Sequence, residues 1–243
     1  MRTQPRGRIP NQVTNSTCPI DIWLKVKGMK TLHDSFRDYV AVKTLNGEHR
    51  HQAGAFGLQD ARAAVIFQSL PPVLHLQLKC YEYDVQCDAM IKVHIASLVG
   101  CLLGSNLTPE SDDSFEFPLE IDLGEFLDET ADRTEPWKYK LYGVLVHSGN
   151  PHGGHNFALI KPDRHTWWLK FDDDRVTPVT DRELLEKYGG EPLQRDHPTT
   201  MKRSTNANVL VYIRKAAIDE LMVPFTEGDT PPHLGELALG WKS

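Results

Sequence analysis

His155-Asn156-Phe157-Ala158-Leu159-Ile160-Lys161 and Thr166-Trp167-Trp168-Leu169-Lys170-Phe171-Asp172 are two apolar runs separated by Pro162-Asp163-Arg164-His165. Runs of this kind around a proline- and aspartate-containing break read as a β-hairpin. With Asp163 and Arg164 as the loop, residue 162 faces 165, and counting outward sets His155 against Asp172. Side chains opposed on neighbouring strands lie within reach of one another. An imidazole held by a carboxylate is the half of a nucleophilic triad that orients and ionises the base. It is also a common structural pair, so the hairpin alone leaves both readings open.

Outward from the hairpin the chain reads as mostly β. Residues 20–26 alternate toward a strand, 31–40 toward a short helix or turn, and 59–68 toward a helix ending before Pro71-Pro72. A long strand follows over 73–83. Residues 125–130 form a short helical piece, and 139–147, 155–161, 166–172 and 208–214 can form an antiparallel sheet. Residues 181–188 predict a helix that Thr180 caps and Gly189 closes. Trp167, Trp168 and Phe171 read as packing residues. Residues 1–19 are expected to be disordered: the first 17 hold three arginines, two prolines and no acid, without the apolar centre of a secretory signal. The chain from Pro224 onward reads as mobile, with 234–243 outside the domain.

Composition narrows the class. With 243 residues, 40% hydrophobic and 25% charged, the chain has material for one domain with a core. A net charge of -6 argues against nucleic acid as a partner, because phosphate binding needs a concentrated basic surface. The cysteines at 18, 80, 87 and 101 show no Cys-x-x-Cys spacing, so free thiols are expected, with no metal site and no cofactor. The apolar run 95–103 is too short to span a bilayer, so no membrane partner is expected.

Gly153-Gly154-His155 before an apolar strand, then Trp168-Leu169-Lys170-Phe171-Asp172-Asp173-Asp174 and Tyr188-Gly189-Gly190, resembles the C-terminal half of the catalytic domain of ubiquitin-specific proteases. The herpesvirus-associated branch is the most similar. The likeness extends upstream through 21–28, Ser35-Phe36-Arg37-Asp38-Tyr39-Val40 and 70–79, and downstream to 209–214, covering most of residues 20–233. It implies an α/β (α+β) fold: the antiparallel palm sheet of a papain-like cysteine protease with a fingers region, the thumb subdomain missing. It implies hydrolysis after the C-terminal glycine of ubiquitin, with His155 as general base, Asp172 orienting it and Asp173 as a polar helper. Gly153 and Gly154 would line the slot for ubiquitin's Gly-Gly tail, on a mobile loop from Ser148 to Gly154. His152 would border that slot, and the remaining histidines have no comparable arrangement. Ubiquitin or ubiquitinated proteins are the implied partners, in the cytoplasm or nucleus.

The family's nucleophile sits in an Asn-x-Gly-x-Thr-Cys box, and no such box occurs in the 243 residues. Asn15-Ser16-Thr17-Cys18 echoes its composition, but the strand at Ile20 follows at once and Pro19 argues against Cys18 opening a helix. Residues 94–111 interrupt the family pattern and are expected to loop out of the sheet. Asn156 and Asn208 stand where the family usually has aromatics, and Cys80 where an arginine is expected. Two readings stay open: a cysteine-type deubiquitinase whose thiol comes from a longer product, and a non-catalytic ubiquitin-binding or protein-interaction fragment, inactive as written.

Overall fold

The computed structural model describes residues 21–52, 57–84, 88–92, 115–150, 153–163, 167–188 and 205–223. The expectations for residues 1–19, for the insertion at 94–111 and for the tail beyond Pro224 lie outside the described residues.

In chain order the elements are β1 (Asp21–Lys25), α1 (Leu32–Val40), β2 (Lys43–Leu45), β3 (His51–Gln52), β4 (Leu58–Gln59), β5 (Ala61–Ala63), β6 (Val73–Lys79), β7 (Tyr81–Asp84), β8 (Ala89–Lys92) and β9 (Glu120–Asp122). They continue with β10 (Lys138–Asn150), β11 (Gly153–Ile160), β12 (Trp168–Asp172), β13 (Arg175–Val179), α2 (Asp181–Tyr188), β14 (Thr205–Arg214) and α3 (Ile218–Leu221). The main sheet runs β1-β6-β14-β10-β11-β12-β13, with β9 also pairing β10. All its pairs are antiparallel except β1 with β6. The mixed α/β fold dominated by one sheet agrees with the sequence reading.

Alternation decides which face is buried. In β1, Ile22 and Leu24 are fully buried while Asp21, Trp23 and Lys25 are exposed. In β6 the buried residues are Leu74, Leu76 and Leu78. Val144 and Val146 of β10 pair with Leu159 and Phe157 of β11, and Leu159 with Lys170 of β12, so these residues and Trp168 share the core face. Full burial of each aliphatic side chain contributes about 1.5–3 kcal/mol. Thr31 starts α1 with a reciprocal cap: its hydroxyl accepts from the Asp34 amide at 3.1 Å, and its own amide donates to the Asp34 carboxylate at 3.0 Å. Thr180 caps α2 as read from sequence, accepting from the Glu183 amide at 3.1 Å.

Three expectations are corrected. Residues 59–68 are not a helix: Ala61–Ala63 pairs with Lys43–Leu45, and Leu58–Gln59 with His51–Gln52. Strand partners outweigh the helical propensity of an alanine-rich run. The strand over 73–83 is broken at Cys80, whose amide bonds back to the Leu78 carbonyl at 2.7 Å, turning the chain off the sheet so that β7 pairs with β8 instead. Ser148 to Gly154 is not a single loop, because Gly149 pairs with Gly154 and Asn150 with Gly153, leaving only 151–152 outside the described residues.

The opposite face of the sheet is less covered. Trp23, Gln77, Val209, Leu145, Ala158, Phe171 and Val176 form one cross-strand row in register. Within it Trp23 is 55% exposed, Leu145 45% and Val176 54%. Phe171 and Trp167 are likewise exposed rather than packed, and Trp168 alone of the three aromatics is buried.

Candidate active site

The β11–β12 hairpin brings His155 and Asp172 together, by a register different from the one counted. Ala158 pairs with Phe171, Leu159 with Lys170 and Ile160 with Leu169. Continued outward, that pairing would set His155 level with Asp174, two residues from the count. Every observed pair is thus offset by two from the pair counted. A shift of two keeps a side chain on its face. Asp172 therefore stays on the side of His155 and reaches it diagonally, and His155 Nε2 is hydrogen-bonded to Asp172 Oδ1.

The second oxygen of Asp172 is also engaged. Lys170 Nζ donates to Oδ2 from the same face of β12, and the ammonium lies 4.2 Å from the centroid of the Phe157 ring. Phe157 is 91% buried, packs beside His155 at 6.3 Å between ring centroids, and meets Tyr188 of α2 edge-on at 5.6 Å. The acid, the base and the lysine thus stand on a supported aromatic. Nothing in the sequence reading had singled out Lys170; its i−2 spacing from Asp172 on a strand was the available signal.

Asp173 joins from the turn. Asp172 pairs with Arg175, so Asp173 and Asp174 are a two-residue hairpin loop, and Asp173 adopts φ +53°, the positive φ that the first central position of such a turn needs. Donor atoms of His155, Asp172 and Asp173 lie within 4.8 Å of one another. Among the described residues this is where a cation would find three donors, yet both Asp172 oxygens already hold a histidine and a lysine.

The charges act on one another. The hydrogen bond from Asp172 raises the His155 pKa above the ordinary imidazole value, the Asp173 and Asp172 charges add to this, and desolvation and the Lys170 charge oppose it. The Asp172 carboxyl is held below its ordinary range, first by the Lys170 hydrogen bond and then by that of His155. At neutral pH Asp172 is therefore ionised and only accepts.

The two glycines differ. A Cβ on Gly154 would clash with the Ser148 carbonyl oxygen and lie 2.5 Å from His147 Nε2, whereas one on Gly153 would meet nothing within 4 Å. His147 has an arrangement of its own, with Nδ1 2.5 Å from the Tyr81 hydroxyl. Burial raises the Tyr81 pKa, so the phenol keeps its proton. Cys80 is buried, its thiol donating to the Ala207 carbonyl at 3.3 Å. His152 and Cys18 lie outside the described residues.

The family model for ubiquitin carboxyl-terminal hydrolase matches residues 6–212. The chain belongs to this family. It is 49% identical over 218 residues to ubiquitin carboxyl-terminal hydrolase 15 of Schizosaccharomyces pombe, covering 88% of this chain and 18% of that protein. Ubiquitin carboxyl-terminal hydrolase 15 of Saccharomyces cerevisiae is 39% identical over 235 residues, with 88% and 18% covered. Ubiquitin carboxyl-terminal hydrolase 7 of Drosophila melanogaster is 38% identical over 217 residues, with 89% and 17% covered. The chain thus spans under a fifth of the length of these relatives. No helix among the described residues is long and apolar enough to cross a membrane.

Proposed function

We propose that this chain carries the base and the orienting acid of a cysteine-type deubiquitinase, hydrolysing the bond after the C-terminal glycine of ubiquitin. His155 is the general base and Asp172 orients it. The observation that carries the reading is the hydrogen bond through Nε2. Because ionised Asp172 only accepts, Nε2 holds the proton and the lone pair of the neutral ring sits on Nδ1, available to take a proton from a thiol. The thiolate then attacks the glycine carbonyl, and the imidazolium returns the proton to the leaving amine; water, deprotonated by the same ring, hydrolyses the thioester. The open space at Gly153 suits an extended Gly-Gly tail.

The reading takes residues 20–233 as part of the catalytic domain, its C-terminal half with palm and fingers, in the herpesvirus-associated branch. It takes ubiquitin or ubiquitinated proteins as partners, not nucleic acid, in the cytoplasm or nucleus. Support comes from the family match and from the long ordered run of shared residues. On this reading the thiol comes from elsewhere in the protein: Cys80, the cysteine among the described residues, is engaged in the core, and the Asn-x-Gly-x-Thr-Cys box does not occur in the 243 residues. That last observation also favours the second reading, a non-catalytic ubiquitin-binding fragment.

Two measurements separate these. The 243-residue chain should leave a ubiquitin-based thiol probe unreacted, and capture at Cys18 that vanishes in Cys18→Ala would overturn the assignment of the thiol elsewhere. End-to-end sequencing of the transcript should reveal an upstream Cys box in the product. In such a product His155→Gln should abolish ubiquitin cleavage; undiminished cleavage would refute His155 as the base.

A further inference from the structure

We propose that Lys170 is a positioning residue of this site: its ammonium holds Asp172 Oδ2 while Oδ1 holds His155, and it offsets the acidic pair that faces the imidazole. The inference rests on the reading of His155 as base. Its geometry stands independently of any thiol.

Asp172 is a short side chain that must reach His155 diagonally across the hairpin, beyond the last backbone pair at Ala158 and Phe171. A carboxylate with one partner can rotate about its terminal bond; one with a partner on each oxygen has a single orientation. Lys170 supplies the second partner from two residues back on the same strand face. The lysine is itself held, its ammonium over the Phe157 ring at 4.2 Å and its side chain only 26% exposed. Cation, carboxylate and imidazole thus form one chain of contacts resting on an aromatic that α2 supports through Tyr188.

The second role is electrostatic. Among the described residues, the charged groups facing His155 are Asp172 and Lys170 from β12 and Asp173 from the following turn. Ser148 is its register partner on β10, and Tyr188 of α2 meets Phe157 edge-on. Two carboxylates without a cation would hold the imidazole protonated further into the alkaline range, leaving less of it as a neutral base at neutral pH. Lys170 counters one of those two charges, and so keeps the ring titrating closer to where a base is useful.

The test is a side-chain titration by NMR of the 243-residue chain, in which neither thiol nor substrate is needed. Lys170→Met keeps an apolar stem of similar length against Phe157 and removes the ammonium, both its charge and its hydrogen bond to Asp172. Both midpoints should rise: Asp172, because it loses its strongest partner, and His155, because it loses the opposing cation. Lys170→Arg should return both to the parent values. A role confined to packing would move neither midpoint in Lys170→Met. Unmoved midpoints, or a falling His155 midpoint, therefore overturn the proposal, and Lys170→Gln repeats the measurement if the Met variant does not fold. The base reading fails separately, if a thiol-containing product still cleaves ubiquitin after His155→Gln, while the Lys170 effect on the midpoints persists.

Discussion

Gly153 and Gly154 look interchangeable in the sequence, and replacing each with alanine should separate them. At Gly154 the new Cβ would meet a backbone carbonyl oxygen, that of Ser148, and lie 2.5 Å from His147 Nε2 and 2.9 Å from His147 Cε1. A backbone oxygen in a strand can retreat only by breaking the ladder. His147 is held on its other side by the Tyr81 hydroxyl at 2.5 Å. The opposite residue is constrained too: Gly149, its register partner, has φ +131° and no room for a Cβ of its own. Overpacking of this kind costs about 1–3 kcal/mol, and contact with backbone argues for a value of about 2. For a chain of this size that lowers the melting temperature by roughly 4–8 °C. At Gly153 no atom of the described residues lies within 4 Å of the added methyl, so Gly153→Ala should stay within about 0.5 kcal/mol of the parent.

Thermal melts of the two variants, followed by circular dichroism, read the difference directly. Ubiquitin affinity by calorimetry reads the other half: Gly153→Ala should weaken binding of a ubiquitin whose tail enters the slot, while leaving stability alone. Equal destabilisation by both substitutions, or a Gly154→Ala variant that melts with the parent, would refute the argument that Gly154 is required by its own strand partners and Gly153 by a ligand.

The pair His155–Asp172 should show in pH dependence. His155 has a raised folded pKa, so its contribution to stability is full below the ordinary value of 6.5 and is lost as pH rises through the raised value. Asp172 has a lowered one, so its contribution is present above 3.8 and is lost as pH falls through the lowered value. Asp172→Asn should bring the His155 NMR midpoint down, and an unchanged midpoint would mean that the two are not coupled. Thr31→Ala removes the cap of α1 and should cost about 1 kcal/mol in urea melts; a loss indistinguishable from zero would show that the helix is held by packing alone. Trp168→Ala empties a 99% buried site and breaks the 2.7 Å bond to Asp181 at the start of α2, so a loss of about 3–5 kcal/mol is expected, and a loss below 1 would contradict its place in the core.

Much of the sheet was legible because its strands alternate against one buried face. Residues 21–25 and 73–79 announce themselves by Ile22, Leu24, Leu74, Leu76 and Leu78, and α2 by Thr180 and the run to Tyr188. The failures share a cause: they depend on partners far away in the chain. Ala61–Ala63 is a strand only because Lys43–Leu45 lies beside it. No local signal marks residues 175–179, which contain Pro178 and follow three aspartates, as a strand, yet they form an edge strand beside β12, where a proline is tolerated. Cys80 ends β6 where its amide bonds back to the Leu78 carbonyl, and its thiol donates to the Ala207 carbonyl, 127 positions away, a contact that no local pattern encodes.

The hairpin shows how two side chains can meet as expected although the counted register is off by two. Moving a turn's midpoint by one residue changes the pairing by two, and two is the period of a strand, so the face of every side chain survives. Changing the length of the loop by a single residue would have shifted the pairing by one and sent Asp172 to the side of Phe171, away from His155. What the count could not supply was the reach. With the backbone pairing ending at Ala158 and Phe171, Asp172 meets His155 on the diagonal, and a diagonal carboxylate is under-constrained unless its other oxygen is held. Lys170 does this from the same face of the same strand, two residues before the acid. The alternation that kept Asp172 beside the histidine also put a cation beside Asp172, so the motif Lys170-Phe171-Asp172 is a functional unit in which the middle residue points the other way.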